Sequence, residues 1–165
     1  MNLTELATRL GMQLSALSAQ VTTAESCTGG GIAEAITRVA GSSAWFEAGY
    51  VTYSNAQKTR QLGVPAELFE TIGAVSREVV ERMASGAQRA SGARYPVAVS
   101  GIAGPGGGTP EKPVGTVWIA WADGERLFAR RCLFDGDRQA VRGQTVETAL
   151  LGLIRLVAGE NPLQG

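Results

Sequence analysis

The chain has 165 residues, a length that favours one domain over residues 1–165 with a full hydrophobic core. Fifteen basic residues balance fifteen acidic ones and no run of Lys or Arg occurs, which argues against a nucleic-acid-binding protein. Histidine is absent and the two cysteines, Cys27 and Cys132, form no CxxC pair, so a zinc site lacks its usual ligands and we expect neither metal nor cofactor.

The first part of the chain predicts a helix, a strand and a second helix. Leucines recur every three or four residues from Leu3 to Leu17, which predicts an amphipathic helix over Leu3–Ala19. Because charged residues interrupt this stripe, the segment resembles neither a signal peptide nor a membrane span, and we expect a cytoplasmic protein without membrane contact. A strand over Val21–Thr23 and a helix over Ile32–Val39 follow.

The rest of the chain alternates between strand and helix signals. Aromatic and β-branched runs predict strands, and cap residues before helix formers predict helices. In chain order we expect a strand Trp45–Ser54, short helices Ala56–Leu62 and Pro65–Thr71, a helix Arg77–Ala90 capped by Ser76, a strand Tyr95–Ser100, a hairpin of Val114–Ala122 with Leu127–Phe134, and a helix Arg138–Val157. This mixture predicts an α/β fold, a single-domain three-layer α/β/α sandwich with a mixed sheet.

A polar, glycine-rich elbow, ESCTGGG, joins the first predicted strand to the second predicted helix. Such an elbow presents backbone N–H groups and the positive end of a helix dipole, so oxyanion or substrate contacts are predicted at Cys27, Thr28, Gly29 and Gly30. Two candidate nucleophiles, Ser26 and Cys27, lie beside these donors. Without histidine, the base of a hydrolytic site is a lysine, a carboxylate or a tyrosine, which excludes a Ser-His-Asp triad and makes a serine–lysine site worth testing.

A second glycine-rich loop, SGIAGPGGG, follows the strand Tyr95–Ser100. It matches neither the GxGxxG dinucleotide pattern nor GxxxxGK[ST], so Rossmann and P-loop assignments fail. Its glycines allow backbone N–H groups to approach an anion such as phosphate; the alternative is a flexible turn without a ligand. The candidate substrate-binding residues of this loop are Ser100, Gly101, Gly106, Gly107 and Gly108.

Two arginines lie one turn apart on the last predicted helix. Arg138 and Arg142 share one face, where they could pair with a phosphate. The alternative is that both lie on a solvated helix surface, which is common for arginine.

Five ordered motifs resemble the CinA C-terminal-domain family: AESCTGGG, AGSSAWFEAGYVTYSNAQK, GAVS, SGIAGPGGG and EKPVGTVW. The resemblance extends from the first helix to the last and is to the stand-alone form of the family. It implies hydrolysis of the carboxamide of nicotinamide mononucleotide (NMN), giving nicotinate mononucleotide and ammonia. It also implies a serine nucleophile, a lysine base and a supporting tyrosine, which correspond here to Ser26, Lys58 and Tyr53. NMN is then the expected small-molecule partner, and we expect a homo-oligomer.

Other interpretations stay open at the level of sequence. Ser26 could cap a helix, Lys58 could be a solvated surface lysine, and Tyr53 could be a core strand residue. Cys27 is interpreted as a backbone donor or a packed small residue rather than the nucleophile. The alternatives to an enzyme are a non-catalytic nucleotide-binding module and an interaction domain linked to competence or DNA damage.

Overall fold

Five strands form one mixed sheet in the order β2-β1-β3-β4-β5. The structure, a computed structural model, describes residues 1–164. Strand β1 pairs in parallel with both β2 and β3, whereas β4 is antiparallel to β3 and to β5. The strands are β1 Val21–Glu25, β2 Phe46–Val51, β3 Tyr95–Gly101, β4 Thr116–Asp123 and β5 Arg126–Leu133.

Helices cover both faces of this sheet, so the predicted three-layer α/β/α arrangement with a mixed sheet is confirmed. One apolar cluster contains residues of α1, α2 and α6, and a second lies under α5 on the other face. The helices are α1 Leu3–Leu17, α2 Gly31–Thr37, α3 Asn55–Leu62, α4 Glu67–Thr71, α5 Arg77–Ser91 and α6 Arg138–Val157.

Short polar side chains and glycines set the ends of the helices near the site. The Ser54 side chain accepts a hydrogen bond from the Gln57 amide and caps α3, which Gly63 ends in the left-handed conformation at φ 72°. The predicted cap of α5 is confirmed, because the Ser76 side chain accepts from the Val79 amide.

Strand β2 is shorter than predicted at both ends. At the first end, Trp45 terminates a 3-10 turn over Ser42–Ala44. At the other end, Ser54 caps α3. The prediction of Trp45–Ser54 was therefore wrong at its edges, because aromatic and β-branched composition does not distinguish a strand from the extended residues beside it. Tyr53 consequently lies in the connection between β2 and α3.

The parallel part of the sheet brings three connections to one edge. Glu25, the last residue of β1, pairs with Val51 at the end of β2 and with Val99 near the end of β3. Because ligands commonly bind beyond the carboxyl ends of parallel strands, this edge is where a site is expected. Within residues 1–164, no helix has both the length and the apolar content needed to cross a bilayer.

A close approach between α6 and the sheet yields a stability prediction. A Cβ at Gly152 would overlap the indole of Trp121, which is fully buried and donates its Nε1–H to the Ala149 carbonyl at 3.0 Å. Gly152→Ala is therefore expected to lower the free energy of unfolding by about 1–3 kcal/mol through overpacking. In the same helix, a Cβ at Gly143 would meet no atom of another segment of residues 1–164 within 4 Å.

Gly143→Ala is the matched control and is expected to raise the free energy of unfolding by about 0.5–1 kcal/mol through helix propensity. Urea unfolding of both variants measures the two effects. Equal stability of the two variants would contradict the packing argument.

Candidate active site

A cavity of about 300 Å³ opens at the carboxyl edge of the parallel strands. Five segments of chain surround it: the elbow after β1, the connection from β2 into α3, the connection before α5, the loop after β3 and the start of α6. Its lining residues are Ser26, Cys27, Tyr53, Asn55, Lys58, Ala74, Val75, Ser100, Gly101, Ile102, Ala103, Gly104, Gly106, Gly107 and Arg138. The cavity thus contains Ser26, Lys58 and Tyr53 together with parts of both glycine-rich loops.

Ser26 presents a hydroxyl that no neighbouring group uses. Its side chain is 8% exposed and, among residues 1–164, Oγ takes part in no hydrogen bond. The capping of α2 is done instead by the fully buried carboxylate of Glu25, which accepts hydrogen bonds from the amides of Ile32 at 2.8 Å and Ala33 at 3.0 Å. The alternative that Ser26 caps this helix is therefore not what the structure contains.

The backbone after Ser26 supplies unused donors. The Gly29 amide donates to the Ser26 carbonyl at 3.0 Å and so closes a tight turn. In the part of the chain that the structure describes, the amides of Cys27 and Thr28 have no acceptor. Two free N–H groups next to a free hydroxyl are the groups that an oxyanion hole needs, because such donors stabilise the negative charge that develops in the transition state.

Lys58 is buried to 1% exposure in the wall of the cavity. Its Nζ donates to the backbone carbonyl of Tyr53 at 3.0 Å, and no carboxylate lies within ion-pair distance of it among residues 1–164. Burial lowers the pKa of Lys58 from its usual 10.5, although the neighbouring Cys27 acts in the opposite direction. At a given pH, the neutral amine is therefore a larger fraction of Lys58 than of a solvated lysine.

Tyr53 and Arg138 meet beside the cavity. The Tyr53 side chain is 60% exposed, so it is not a core residue. Arg138 donates to the Tyr53 hydroxyl at 3.0 Å and to the Gly104 carbonyl at 2.8 Å. This arginine thus joins the connection after β2 to the glycine-rich loop after β3, and its guanidinium lies in the cavity lining.

The loop after β3 contributes several free amides to the same cavity. No acceptor within residues 1–164 is bonded to the amides of Ala103, Gly104, Gly106 or Gly107. Gly104 and Gly107 have φ values of 87° and 91°, a backbone conformation that strongly favours glycine. Consecutive amides in such a conformation can bind an anion.

Five of the candidate residues lie outside the cavity lining. Arg142 donates instead to the Cys27 carbonyl at 3.1 Å and to the Thr28 carbonyl at 3.2 Å, and it lines a neighbouring cavity with Pro105 and Arg138. The other four, which belong to the two glycine-rich loops, are Thr28, Gly29, Gly30 and Gly108. Both arginines are exposed to solvent, as the alternative of a solvated helix surface expects, but each one also donates to the backbone of a loop.

Cys27 lines the cavity but is buried among core residues. Burial raises the pKa of its thiol to about 11, against the opposing effects of its own backbone amide and of the cations Arg142 and Lys58. At neutral pH the thiol is therefore protonated and a weak nucleophile. This environment agrees with its interpretation as a packed small residue.

Asn55, Ala74 and Val75 also line the cavity; they belong to the motifs SNAQK and GAVS but were not among the predicted site residues. Asn55 is the first residue of α3. Ala74 and Val75 carry no chemical signal of their own. Within residues 1–164, no three His, Cys, Asp or Glu side chains are grouped closely enough to hold a metal ion.

Comparison with known proteins identifies relatives over nearly the full chain. A family model described as the CinA C-terminal domain matches residues 3–157. A protein of Pseudomonas putida named nicotinamide-nucleotide amidohydrolase PncC is 74% identical over 154 residues, which cover 93% of this chain and 96% of that protein. The protein of the same name from Escherichia coli K12 is 55% identical over 150 residues, 90% of each chain.

Solved structures agree with this relationship. The competence/damage inducible protein CihA from Agrobacterium tumefaciens has 47% sequence identity and a TM-score of 0.91, over 94% of this chain and 96% of that one. The competence damage-inducible protein A (ComA) from Klebsiella pneumoniae has 39% identity and a TM-score of 0.93, over 96% of this chain and 98% of that one. The chain therefore belongs to the CinA C-terminal-domain family.

Proposed function

We propose that this chain hydrolyses the carboxamide of nicotinamide mononucleotide to nicotinate mononucleotide and ammonia. The observation that carries the proposal is the unbonded hydroxyl of Ser26 in one cavity with the buried amine of Lys58. The choice of substrate follows from two relatives named nicotinamide-nucleotide amidohydrolase, which are 74% and 55% identical over nearly their whole lengths. Neither alternative, a non-catalytic nucleotide-binding module or an interaction domain, accounts for a buried lysine without a carboxylate partner.

The first half of the proposed reaction forms an ester on Ser26. Oγ attacks the carboxamide carbon while its proton passes to the neutral Nζ of Lys58, and the developing oxyanion accepts hydrogen bonds from the amides of Cys27 and Thr28. The bond from Nζ to the Tyr53 carbonyl uses one N–H and leaves the lone pair available. Collapse of the tetrahedral intermediate breaks the C–N bond, and the Lys58 ammonium returns its proton to the leaving ammonia.

The second half hydrolyses that ester. Lys58 is neutral again and takes a proton from a water molecule, whose oxygen attacks the same carbonyl carbon. The new tetrahedral intermediate expels Oγ of Ser26, which recovers the proton from Lys58. The net reaction consumes one amide and one water and releases nicotinate mononucleotide and ammonia.

The remaining cavity wall suits the phosphate of the substrate. Free amides at Gly106 and Gly107 and the guanidinium of Arg138 lie in the lining on the side of the loop after β3. A phosphate bound there would fix the mononucleotide, and that remote binding energy could serve the reacting amide. Tyr53, already bonded to Arg138, would support this end of the substrate.

A cytoplasmic location and a homo-oligomeric state complete the proposal and rest on the sequence. Light scattering after size-exclusion chromatography of the purified chain measures the oligomeric state directly.

Purified protein with NMN and excess EDTA tests the proposed activity. Ammonia and nicotinate mononucleotide are expected in equal amounts, since the described residues offer no cluster of metal ligands. Ser26→Ala is expected to reduce kcat at least about a thousandfold, as for other nucleophiles that act as part of a unit. Because Oγ makes no hydrogen bond, this change should alter the free energy of unfolding by less than about 1 kcal/mol.

Cys27→Ala is the matched control one residue further on and is expected to retain most of the activity, because the buried thiol is protonated at neutral pH. An inactive Cys27→Ala beside an active Ser26→Ala would reverse the assignment. Strong inhibition by EDTA that a divalent ion relieves would overturn the serine–lysine mechanism.

The second prediction concerns Lys58 as the base. The active form is the neutral amine, so kcat/KM should rise with pH through the pKa of Lys58, which burial places below 10.5. Lys58→Arg should be nearly as inactive as Lys58→Ala, because a guanidinium stays protonated at neutral pH. A pH–rate series for the wild type and both variants measures this, and near-normal turnover by Lys58→Arg would show that the residue supplies only charge.

The third prediction concerns the phosphate. NMN should be hydrolysed with a higher kcat/KM than nicotinamide riboside or free nicotinamide, which have no phosphate to bind. Arg138→Gln should reduce this preference about ten- to hundredfold, the usual effect of losing a hydrogen bond to a charged group. Steady-state kinetics on the three compounds give the ratio, and equal kcat/KM values for all of them would rule out a phosphate subsite in this loop.

A further inference from the structure

Arg142 is bonded to the elbow that carries Ser26, although it comes from α6, 115 residues away from Cys27 in the chain. Its Nε donates to the Cys27 carbonyl at 3.1 Å, and its Nη2 donates to the Thr28 carbonyl at 3.2 Å. One planar guanidinium thus bonds two consecutive carbonyls directly after the nucleophile. Arg142 is not part of the lining of the cavity that contains Ser26, and it lines a neighbouring cavity together with Pro105 and Arg138.

The bond to the Cys27 carbonyl orients the Cys27–Thr28 peptide plane, whereas the Thr28 carbonyl also accepts from the Gly31 amide at 3.0 Å. In a trans peptide the carbonyl and the N–H point in opposite directions. The Cys27 carbonyl shares its plane with the Thr28 amide, so a carbonyl held by Arg142 directs that free N–H away from the arginine. The Thr28 carbonyl shares its plane with the Gly29 amide, which closes the turn on the Ser26 carbonyl at 3.0 Å.

The charge of Arg142 adds to this geometric effect. Among residues 1–164, no carboxylate forms an ion pair with it. A hydrogen bond from a charged donor polarises the peptide group that accepts it, which makes the N–H of the same peptide a stronger donor. The positive charge also reaches the elbow, since it acts to lower the pKa of Cys27, although burial dominates and raises that pKa.

We propose that Arg142 is a positioning residue for the oxyanion donors, not a ligand of the substrate phosphate. It orients and polarises the Cys27–Thr28 peptide, so that the Thr28 amide binds the tetrahedral oxyanion more strongly than it binds the planar substrate. This inference rests on the proposed amidohydrolase function. It differs from the role of Arg138, which lies in the cavity lining and has its guanidinium on the side of the phosphate loop.

Kinetics on two substrates distinguish the roles of the two arginines. For Arg142→Gln we expect kcat to fall about ten- to hundredfold, less than the loss of a direct oxyanion donor in other enzymes. The fall should be the same for NMN and nicotinamide riboside, with KM for NMN changed less than about twofold, because interactions made only in the transition state affect kcat. Arg142→Lys should restore part of kcat, since an ammonium can donate to one of the two carbonyls.

The control is Arg155→Gln, which removes one positive charge from the same helix and should leave both kinetic constants unchanged. A rise in KM for NMN but not for the riboside would mean that Arg142 binds phosphate and would overturn the inference. A loss of activity that follows only a lowered melting temperature, without rescue by Arg142→Lys, would also overturn it.

An NMR measurement separates failure of this inference from failure of the proposed function. In Arg142→Gln, the amide nitrogen resonance of Thr28 should move upfield, because its peptide carbonyl loses a charged donor. This readout does not depend on the substrate. A wild-type protein that releases no ammonia from NMN would refute the proposed function, whereas an unmoved Thr28 resonance would refute the role of Arg142.

Discussion

The buried carboxylate of Glu25 is the constraint on which the site depends. It lies at the end of β1, fully removed from solvent, and accepts hydrogen bonds from the Thr28 hydroxyl and from the amides of Ile32 and Ala33. A buried carboxylate is costly unless its oxygens are bonded, and the first turn of α2 supplies both the bonds and a favourable dipole. Glu25 caps α2 in place of Ser26, and the Ser26 hydroxyl and the amides of Cys27 and Thr28 have no hydrogen-bond partner among residues 1–164.

The loops around the cavity are held by lysine and arginine side chains bonded to backbone carbonyls. Lys58 binds the Tyr53 carbonyl, Arg138 the Gly104 carbonyl, Arg142 the elbow and Lys112 the Ile72 carbonyl at 2.8 Å. Such bonds order irregular backbone, and among residues 1–164 none of these four side chains forms an ion pair with a carboxylate. The positive charge of Arg138 in the cavity lining therefore remains available to an anionic substrate, which is the kind of arrangement that preorganised electrostatic catalysis requires.

Local signals predicted most of the fold, whereas contacts between distant segments could not be read from the sequence. Periodicity and caps placed α6 at Arg138–Val157 as observed, because both are properties of neighbouring residues. The contact of Arg142 with the elbow depends on how α6 packs on the sheet, so the sequence offered only a phosphate-binding or a solvated arginine. The resemblance to a family brought Ser26, Lys58 and Tyr53 together, which periodicity alone could not do.

Ser26 and Cys27 are adjacent in the chain, but burial makes only one of them suitable as the nucleophile. A thiolate would be the stronger nucleophile, but the Cys27 thiol packs into the core and burial raises its pKa to about 11. The same burial that disfavours the thiolate favours the neutral amine of Lys58, because desolvation penalises whichever form is charged. Burial thus disfavours the thiolate of Cys27 and favours the neutral amine of Lys58, and Ser26 in the same cavity is the nucleophile that such a base can activate.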